Sequence, residues 1–279
     1  SGSKRIEVSQ NHWLLCLDPI IIGVWMNKLD DIISSSNKND FEIYFKEIST
    51  GALSSKDIAM MNLTLSAKIE EEGGTLYLLK CSKARIFHVL YWKAWLIYQR
   101  YYKKPGFSFT RLKEFAAAYS YPRKVRLVSF ALDDYYNIFP MDLLGEIPGT
   151  NKYVFGLRHT NIALSKMIES RKLVVSEVSS LFKETIYLLG KHHASLPPPI
   201  NALPFKVFRA EKLGFYIPEW VESYKEVKIL KTLNLGSHML MLGEWEKENK
   251  LTDTADHLFH IHFLLYLRKE MKKKNYPLV

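Results

Sequence analysis

Arg158-His159-Thr160-Asn161 lies where an extended, strand-like run gives way to helical spacing, and these residue types at such a junction suit an anion. A helix start presents unpaired N–H groups and partial positive charge, so an arginine and a hydroxyl beside it make a place for a phosphate. The plain reading of the same four residues is an N-cap with a surface arginine. A second window, Asn137-Ile138-Phe139-Pro140-Met141-Asp142, sets an amide and a carboxylate around apolar residues and a proline. His257, His260 and His262 are closely spaced, but metal ligands converge on one face with a carboxylate or thiolate partner, and no metal site is expected. The chain holds no GxSxG elbow, no P-loop and no GxGxxG, so nucleophile triads and the common nucleotide loops find no support.

These windows need a frame to position them. Trp13–Leu17 and Ile20–Met26, split by Pro19, read as two strands or as a strand and a turn, and Ser34 to Asp40 as a loop. Phe41–Ile48 alternates as a half-buried strand does, residues 55–70 hold helix formers, and Thr75–Lys80 is a further strand. From Ala84 to Tyr102, Phe87, Leu90, Tyr91, Trp95 and Tyr98 recur at steps of three and four, which predicts a long amphipathic helix with this stripe packed in a core. Ser108 or Thr110 can cap a second helix running to Tyr119. After Pro122 the texture turns extended: strands at Val125–Phe130, Tyr136–Phe139, Lys152–Leu157, Lys172–Val178 and His238–Glu246, with helices over 160–171 and 180–191. Thr160 or Asn161 is available as N-cap of the first of these, and Pro197-Pro198-Pro199 reads as a surface loop.

The chain has 279 residues, 47% hydrophobic and 24% charged, which excludes wholesale disorder, collagen and coiled coil. The formal charge of +10 makes anionic partners worth considering, but Arg268 to Lys274 alone contributes +4 near the C-terminus and reads as a solvated run. No helix-turn-helix, zinc finger or RNP-type strand accompanies the charge, so no nucleic-acid partner is expected. Two cysteines, Cys16 and Cys81, do not make a disulfide scaffold and point to a reducing cytoplasm. No apolar run is long enough for a membrane span, so no membrane partner is expected, and the residues after Ser1-Gly2-Ser3 lack the pattern of a secretory signal.

Taken in order, Pro122–Ser129, Asn137–Met141, Arg158–Ile162, Lys172–Val178, Trp220–Ser223 and Leu235-Gly236-Ser237-His238-Met239-Leu240-Met241-Leu242-Gly243-Glu244 resemble the flavin reductase-like family of FMN-binding split barrels over residues 115–250. The last of these motifs is the most specific. The resemblance implies a mainly β fold with α+β additions: a six-stranded antiparallel Greek-key barrel with short helices, in a homodimer that holds FMN near the subunit interface. It divides the chain into an N-terminal α+β region, residues 1–110, and a barrel domain, residues 111–279, with the boundary near 104–120. It implies that Asn137, Phe139, Pro140, Met141 and Asp142 run beside the flavin ring and that Arg158, His159, Thr160 and Asn161 hold the phosphate. His238 would orient a hydride donor, NADH or NADPH, and His192-His193 could close over the cofactor.

Two departures from the family pattern stand out. Asp142 and Glu146 lie where small hydroxyl residues are usual; a carboxylate near a phosphate is repulsive, so Asp142 is expected to pair with Arg158 or to face elsewhere. The N-terminal 110 residues have no counterpart in the motif set. The leading reading is thus an NAD(P)H-dependent flavin reductase-like oxidoreductase; the alternative is a non-catalytic flavin-binding or partner-interaction protein on the same barrel.

Overall fold

The computed structural model describes residues 5–28, 33, 39–48, 55–252 and 256–264. Ser1 to Ser3, residues 34–38 of the loop expected at Ser34–Asp40 and the basic run Arg268–Lys274 lie outside them, and Asp40 already belongs to a strand.

The apolar runs on either side of Pro19 form a hairpin of β1 (His12–Leu17) and β2 (Ile20–Asn27). With β3 (Asp40–Ile48), β4 (Ser55–Glu71) and β5 (Gly74–Ile86) they build a five-stranded antiparallel sheet in the order β1-β2-β5-β4-β3. β4 replaces the helix formers expected over 55–70. It pairs along both edges, which overrides local propensity, and register shifts at Asn62/Leu63 and Leu65/Ala67 break the alternation that would have marked it.

β5 continues to Ile86, so the helix expected from Ala84 starts later. α1 (Tyr91–Ile97) runs straight into a π-helical turn at Tyr98–Tyr102. The expected core stripe divides. Tyr98, with Ile97 and Tyr102, packs toward Leu112 and Ala116 of α2 (Phe109–Ala118), whereas Phe87, Leu90, Tyr91 and Trp95 are exposed. Spacing marked a helix with apolar faces; it could not say that only one face meets the protein. Ser108 caps α2, its Oγ accepting from the Arg111 N–H at 3.1 Å.

β6 (Arg123–Lys124) leads into the main sheet. Here β7 (Arg126–Leu132), β8 (Tyr135–Met141), β9 (Leu144–Ile147), β10 (Lys152–Arg158), β11 (Lys172–Glu177), β14 (Ser223–Asn234) and β15 (His238–Lys250) lie antiparallel in the order β8-β7-β11-β14-β15-β10-β9. β8 and β9 are the two edges of this sheet, yet only Asp142 and Leu143 join them. Three Cα steps reach about 11 Å, while seven flat strands would hold their edges about 29 Å apart. The sheet therefore rolls into a barrel, and the Gly156 N–H donates to the Leu143 carbonyl at the corner, at 2.8 Å. The barrel has one strand more than the six expected: β9, four residues long, falls just before the turn at Ile147–Thr150. α3 (Leu164–Ser170) carries the chain from β10 past β15 and β14 to β11, a Greek-key-type crossing. α4 (Lys183–Leu189) lies beyond β11, the hairpin β12 (Val207–Arg209) and β13 (Tyr216–Pro218) precedes β14, and β16 (Phe259–His260) returns to pair with β6.

Phe130, Phe139, Tyr153 and Phe155 fill one barrel cluster. A second joins the two sheets: Trp13, Leu15, Trp25 and Leu76 pack on Ile147, Val154, Leu240 and Leu242. Two glycines let β1 lie directly on the barrel wall. A Cβ on Gly156 would stand 2.0 Å from the Leu15 carbonyl oxygen, and one on Gly145 would stand 1.7 Å from Trp13 Nε1. Glu71 pairs with both Lys152 and Lys231 across the same junction. Among the described residues no helix is long and apolar enough to cross a membrane.

Candidate functional site

The strand ends and the corner of the barrel bring the two windows together. Arg158 closes β10 and stands directly opposite His238, the first residue of β15. The His159 N–H donates to the Ser237 carbonyl at 3.1 Å, so the chain turns tightly out of the strand. Arg158, His159 and Thr160 are exposed, and His159 Nε2 lies 3.2 Å from Asn234 Oδ1. Neither Thr160 nor Asn161 is the N-cap of α3. That position is Ala163, because the buried Asn161 bends back and accepts from the Ala163 N–H through its own side-chain oxygen at 2.8 Å.

His193 ties this turn to the other window. Its Nε2–H donates to the Pro140 carbonyl at 3.0 Å, which leaves Nδ1 to accept from the Asn161 amide at 2.5 Å. The ring also meets Phe139 edge-on. Its neighbour His192 is buried with Nδ1 2.8 Å from the Ile138 carbonyl. Asn137, Phe139 and Met141 point into the barrel, leaving Pro140 and Asp142 half-buried at the rim. Asn137 donates to the Tyr135 hydroxyl and the His192 carbonyl, while its buried Oδ1 has no hydrogen-bond partner among the described residues.

Asp142 pairs with Arg123 rather than with Arg158. Arg123 Nε and Nη2 lie 3.0 and 2.9 Å from its Oδ2, and His260 Nδ1 lies 2.7 Å from the same atom. The guanidinium covers the Tyr119 ring at 3.7 Å from its centroid. Although burial opposes ionisation, Arg123 and His260 hold the Asp142 carboxyl below the usual carboxylate range. Burial pushes the Tyr119 phenol up to about 12. The three closely spaced histidines part company: His260 joins Asp142, His257 lies 3.2 Å from Glu222, and His262 packs among Tyr102 and Tyr119. Sequence reading missed Arg123 and Tyr119; an arginine directly after Pro122 at the mouth of an apolar strand was the available signal.

The N-terminal sheet positions His238. The Asp18 N–H donates to Ser237 Oγ at 2.9 Å and the Ser237 N–H donates back to the Asp18 carbonyl at 2.7 Å. Gly236, at φ +112°, permits this approach, since a Cβ there would stand 2.6 Å from the Asp18 oxygen. Arg111 of α2 holds the same hairpin turn through Asp18 Oδ1 at 2.9 Å. His238 Nδ1 then faces the Ser237 hydroxyl at 2.8 Å and accepts the Leu17 N–H at 3.5 Å, which places the ring proton on Nε2.

Burial first, then the nearby Arg158 and His159, lower the pKa of His238 to about 4 against the pull of Asp142. His193 is lowered for similar reasons. The corner therefore carries a positive field that Asp142, already paired, does not cancel. Arg158 and Thr160 have no side-chain hydrogen bond or ion pair among the described residues, so their donors are available to an anion.

A stability consequence follows from the two histidines held near 4, His238 and His262. In the unfolded chain each takes up its proton near pH 6.5, so protons bind the unfolded state first. Stability is expected to fall between about pH 6.5 and 4, by up to about 1.4 kcal/mol per pH unit for each ring. Urea unfolding across that range should show the decline. His238→Asn should make it shallower, and an unchanged slope in that variant would contradict the assignment.

Fold and site together define an antiparallel β-barrel whose corner exposes Arg158 and Thr160. Among solved structures, the chain is similar to the FMN-binding protein of Thermus thermophilus with bound p-hydroxybenzaldehyde, at 14% identity over 52% of this chain and 84% of that one, TM-score 0.45. It is also similar to the flavin reductase component of a bacterial two-component tryptophan halogenase, at 13% identity over 52% and 90% of the chains, TM-score 0.47. A third is the NADH:FAD oxidoreductase of Streptomyces globisporus C-1027, at 13% identity over 53% and 86%, TM-score 0.44. These neighbours are of the kind the ordered motifs resemble. No protein-family model matches the sequence, and no curated protein is similar to it.

Proposed function

We propose that this chain binds FMN at the barrel corner and works as a flavin-dependent oxidoreductase with NADH or NADPH as donor. The observation that carries the reading is Arg158: exposed, without a carboxylate partner among the described residues, and set opposite a neutral histidine in a positive field. A phosphomonoester fits this donor set, with Arg158 offering a charged fork and Thr160 a hydroxyl. On the ring side, Pro140 and the backbone around it offer the accessible surface, since Phe139 and Met141 belong to the core. FMN, when bound, supplies the two-electron chemistry. The chain's own residues hold the phosphate, set the ring against the β8–β9 corner, and orient the donor through the buried His238 behind Arg158. The assembly implied by the motif resemblance is a homodimer.

The test is the absorbance spectrum of the purified protein and its response to added FMN. Arg158→Ala should weaken FMN binding about 10- to 100-fold, the worth of charge-assisted hydrogen bonds of about 1.5–3 kcal/mol. A protein with no bound flavin and no spectral or thermal response to FMN would overturn the proposal. One observation favours the second reading, a flavin binder without turnover: the Pro140 carbonyl and the Asn161 amide are already engaged by His193. FMN binding without bleaching by either NADH or NADPH would decide for it.

A further inference from the structure

The helical segment at Tyr91–Tyr102 packs on the protein with one face and carries further apolar and aromatic side chains outward, beside Lys93 and Arg100. Ile97, Tyr98 and Tyr102 pack in the α2 cluster, and Ala94 is buried. Outward, Leu90, Tyr91, Trp92, Trp95, Leu96 and Tyr101 are exposed, Trp92 at 57% and Tyr101 at 69%. An exposed apolar patch rimmed by basic residues marks a surface that meets a partner or a membrane. The chain has six tryptophans, and Trp92 and Trp95 are the exposed pair among them.

Charge selects the occupant of this face. From Lys83 to Lys113 the sequence carries eight basic residues and no acidic one. Lys93 stands 5.3 Å from the Trp92 ring centroid, Arg100, Lys103 and Lys104 are exposed, and none of the four pairs with a carboxylate among the described residues. The last described residues end beside the same face, Phe263 meeting Tyr101 edge-on, and the 15 residues that follow Leu264 hold five basic side chains against one acidic.

We propose that this face docks on an anionic lipid bilayer as a peripheral, interfacial helix. Trp and Tyr settle at headgroup level, Leu reaches the acyl boundary, and Lys and Arg meet anionic headgroups. No span is required. A second copy would set this basic face against itself, which costs like-charge repulsion. A nucleic-acid strand would stack on the rings but gain nothing from Leu90 and Leu96.

Sedimentation of the full chain with vesicles tests this, comparing phosphatidylglycerol mixed into phosphatidylcholine with phosphatidylcholine alone. Binding should favour the anionic vesicles and weaken several-fold as salt rises from about 0.05 M to about 0.5 M. Trp92→Ser with Trp95→Ser should lower the partition coefficient about tenfold or more. Lys93→Glu with Arg100→Glu should lower it on the anionic vesicles alone, and this second pair keeps the test readable should the first fail to fold. Circular dichroism and thermal melting report folding in each. Absence of vesicle binding, or binding unchanged in both double variants, overturns the proposal. So does self-association that the serine variant abolishes, or oligonucleotide binding, where vesicles are not bound.

Discussion

Replacing Arg123 with Met will lower the stability of the fold by about 3–5 kcal/mol, the cost of leaving a partly buried carboxylate without its cation. Arg123 is buried, and its loss strips Asp142 of both guanidinium bonds and Tyr119 of its stacked partner. The measurement is urea unfolding at neutral pH, read as a shift in midpoint at constant slope. Arg123→Met combined with Asp142→Leu should recover most of the loss, because removing both charges removes the unpaired one. The pH dependence follows from Asp142. Its folded pKa is depressed, so its stabilising contribution is in place above the unfolded value near 3.9 and disappears as pH falls through the folded value. The gap between wild type and Arg123→Met should therefore persist at pH 5 and close only in stronger acid. A Met variant within about 1 kcal/mol of wild type at pH 7 would mean that the ion pair does not hold the barrel corner.

Gly156→Ala should be as damaging through a different cause. The added Cβ would stand 2.0 Å from the Leu15 oxygen and 3.0 Å from Leu15 Cα, both backbone atoms that cannot swing aside as a side chain can. Overpacking a core costs about 1–3 kcal/mol when side chains can adjust, and more here. We expect a loss of at least about 3 kcal/mol, with the emission of Trp13 and Trp25 shifting to the red as β1 lifts from the wall. Gly190→Ala is the matched control, since its Cβ would meet only Pro140 at 3.9 Å and its φ is −57°. That change should be within about 0.5 kcal/mol of neutral, or slightly stabilising. If the two alanines behave alike, the close approach of the sheets does not matter to stability.

The barrel was legible because its strands are short, β-rich and bounded by turn residues: Val125–Phe130, Lys152–Leu157 and Lys172–Val178 each declare themselves. The β1–β2 hairpin was legible for the same reason, with Pro19 marking the break. β4 was not, because its two bulges shift the side-chain alternation that sequence reading depends on. The aromatic segment shows a different limit: a stripe at helical spacing tells that a face exists, not what stands opposite it. Around the site, sequence placed Asp142 as a carboxylate out of place but could not supply its partner. Arg123 reaches it across the corner of a closed sheet, and His260 arrives from the far end of the chain. The bridging of Asn161 and Pro140 by His193 is hidden in the same way, since contacts of 32 and 53 residues' separation leave no local pattern.

The junction between the two sheets also governs how the chain can be made. Trp13, Leu15 and Trp25 are synthesised well before Leu240 and Leu242, on which they pack, and the Asp18–Ser237 bonds close over a separation of 219 residues. At about 5–20 residues per second, the apolar face of the first sheet is left uncovered on the ribosome for roughly ten to thirty seconds after β5 emerges. During synthesis the nascent chain thus presents a sticky surface that the finished protein conceals.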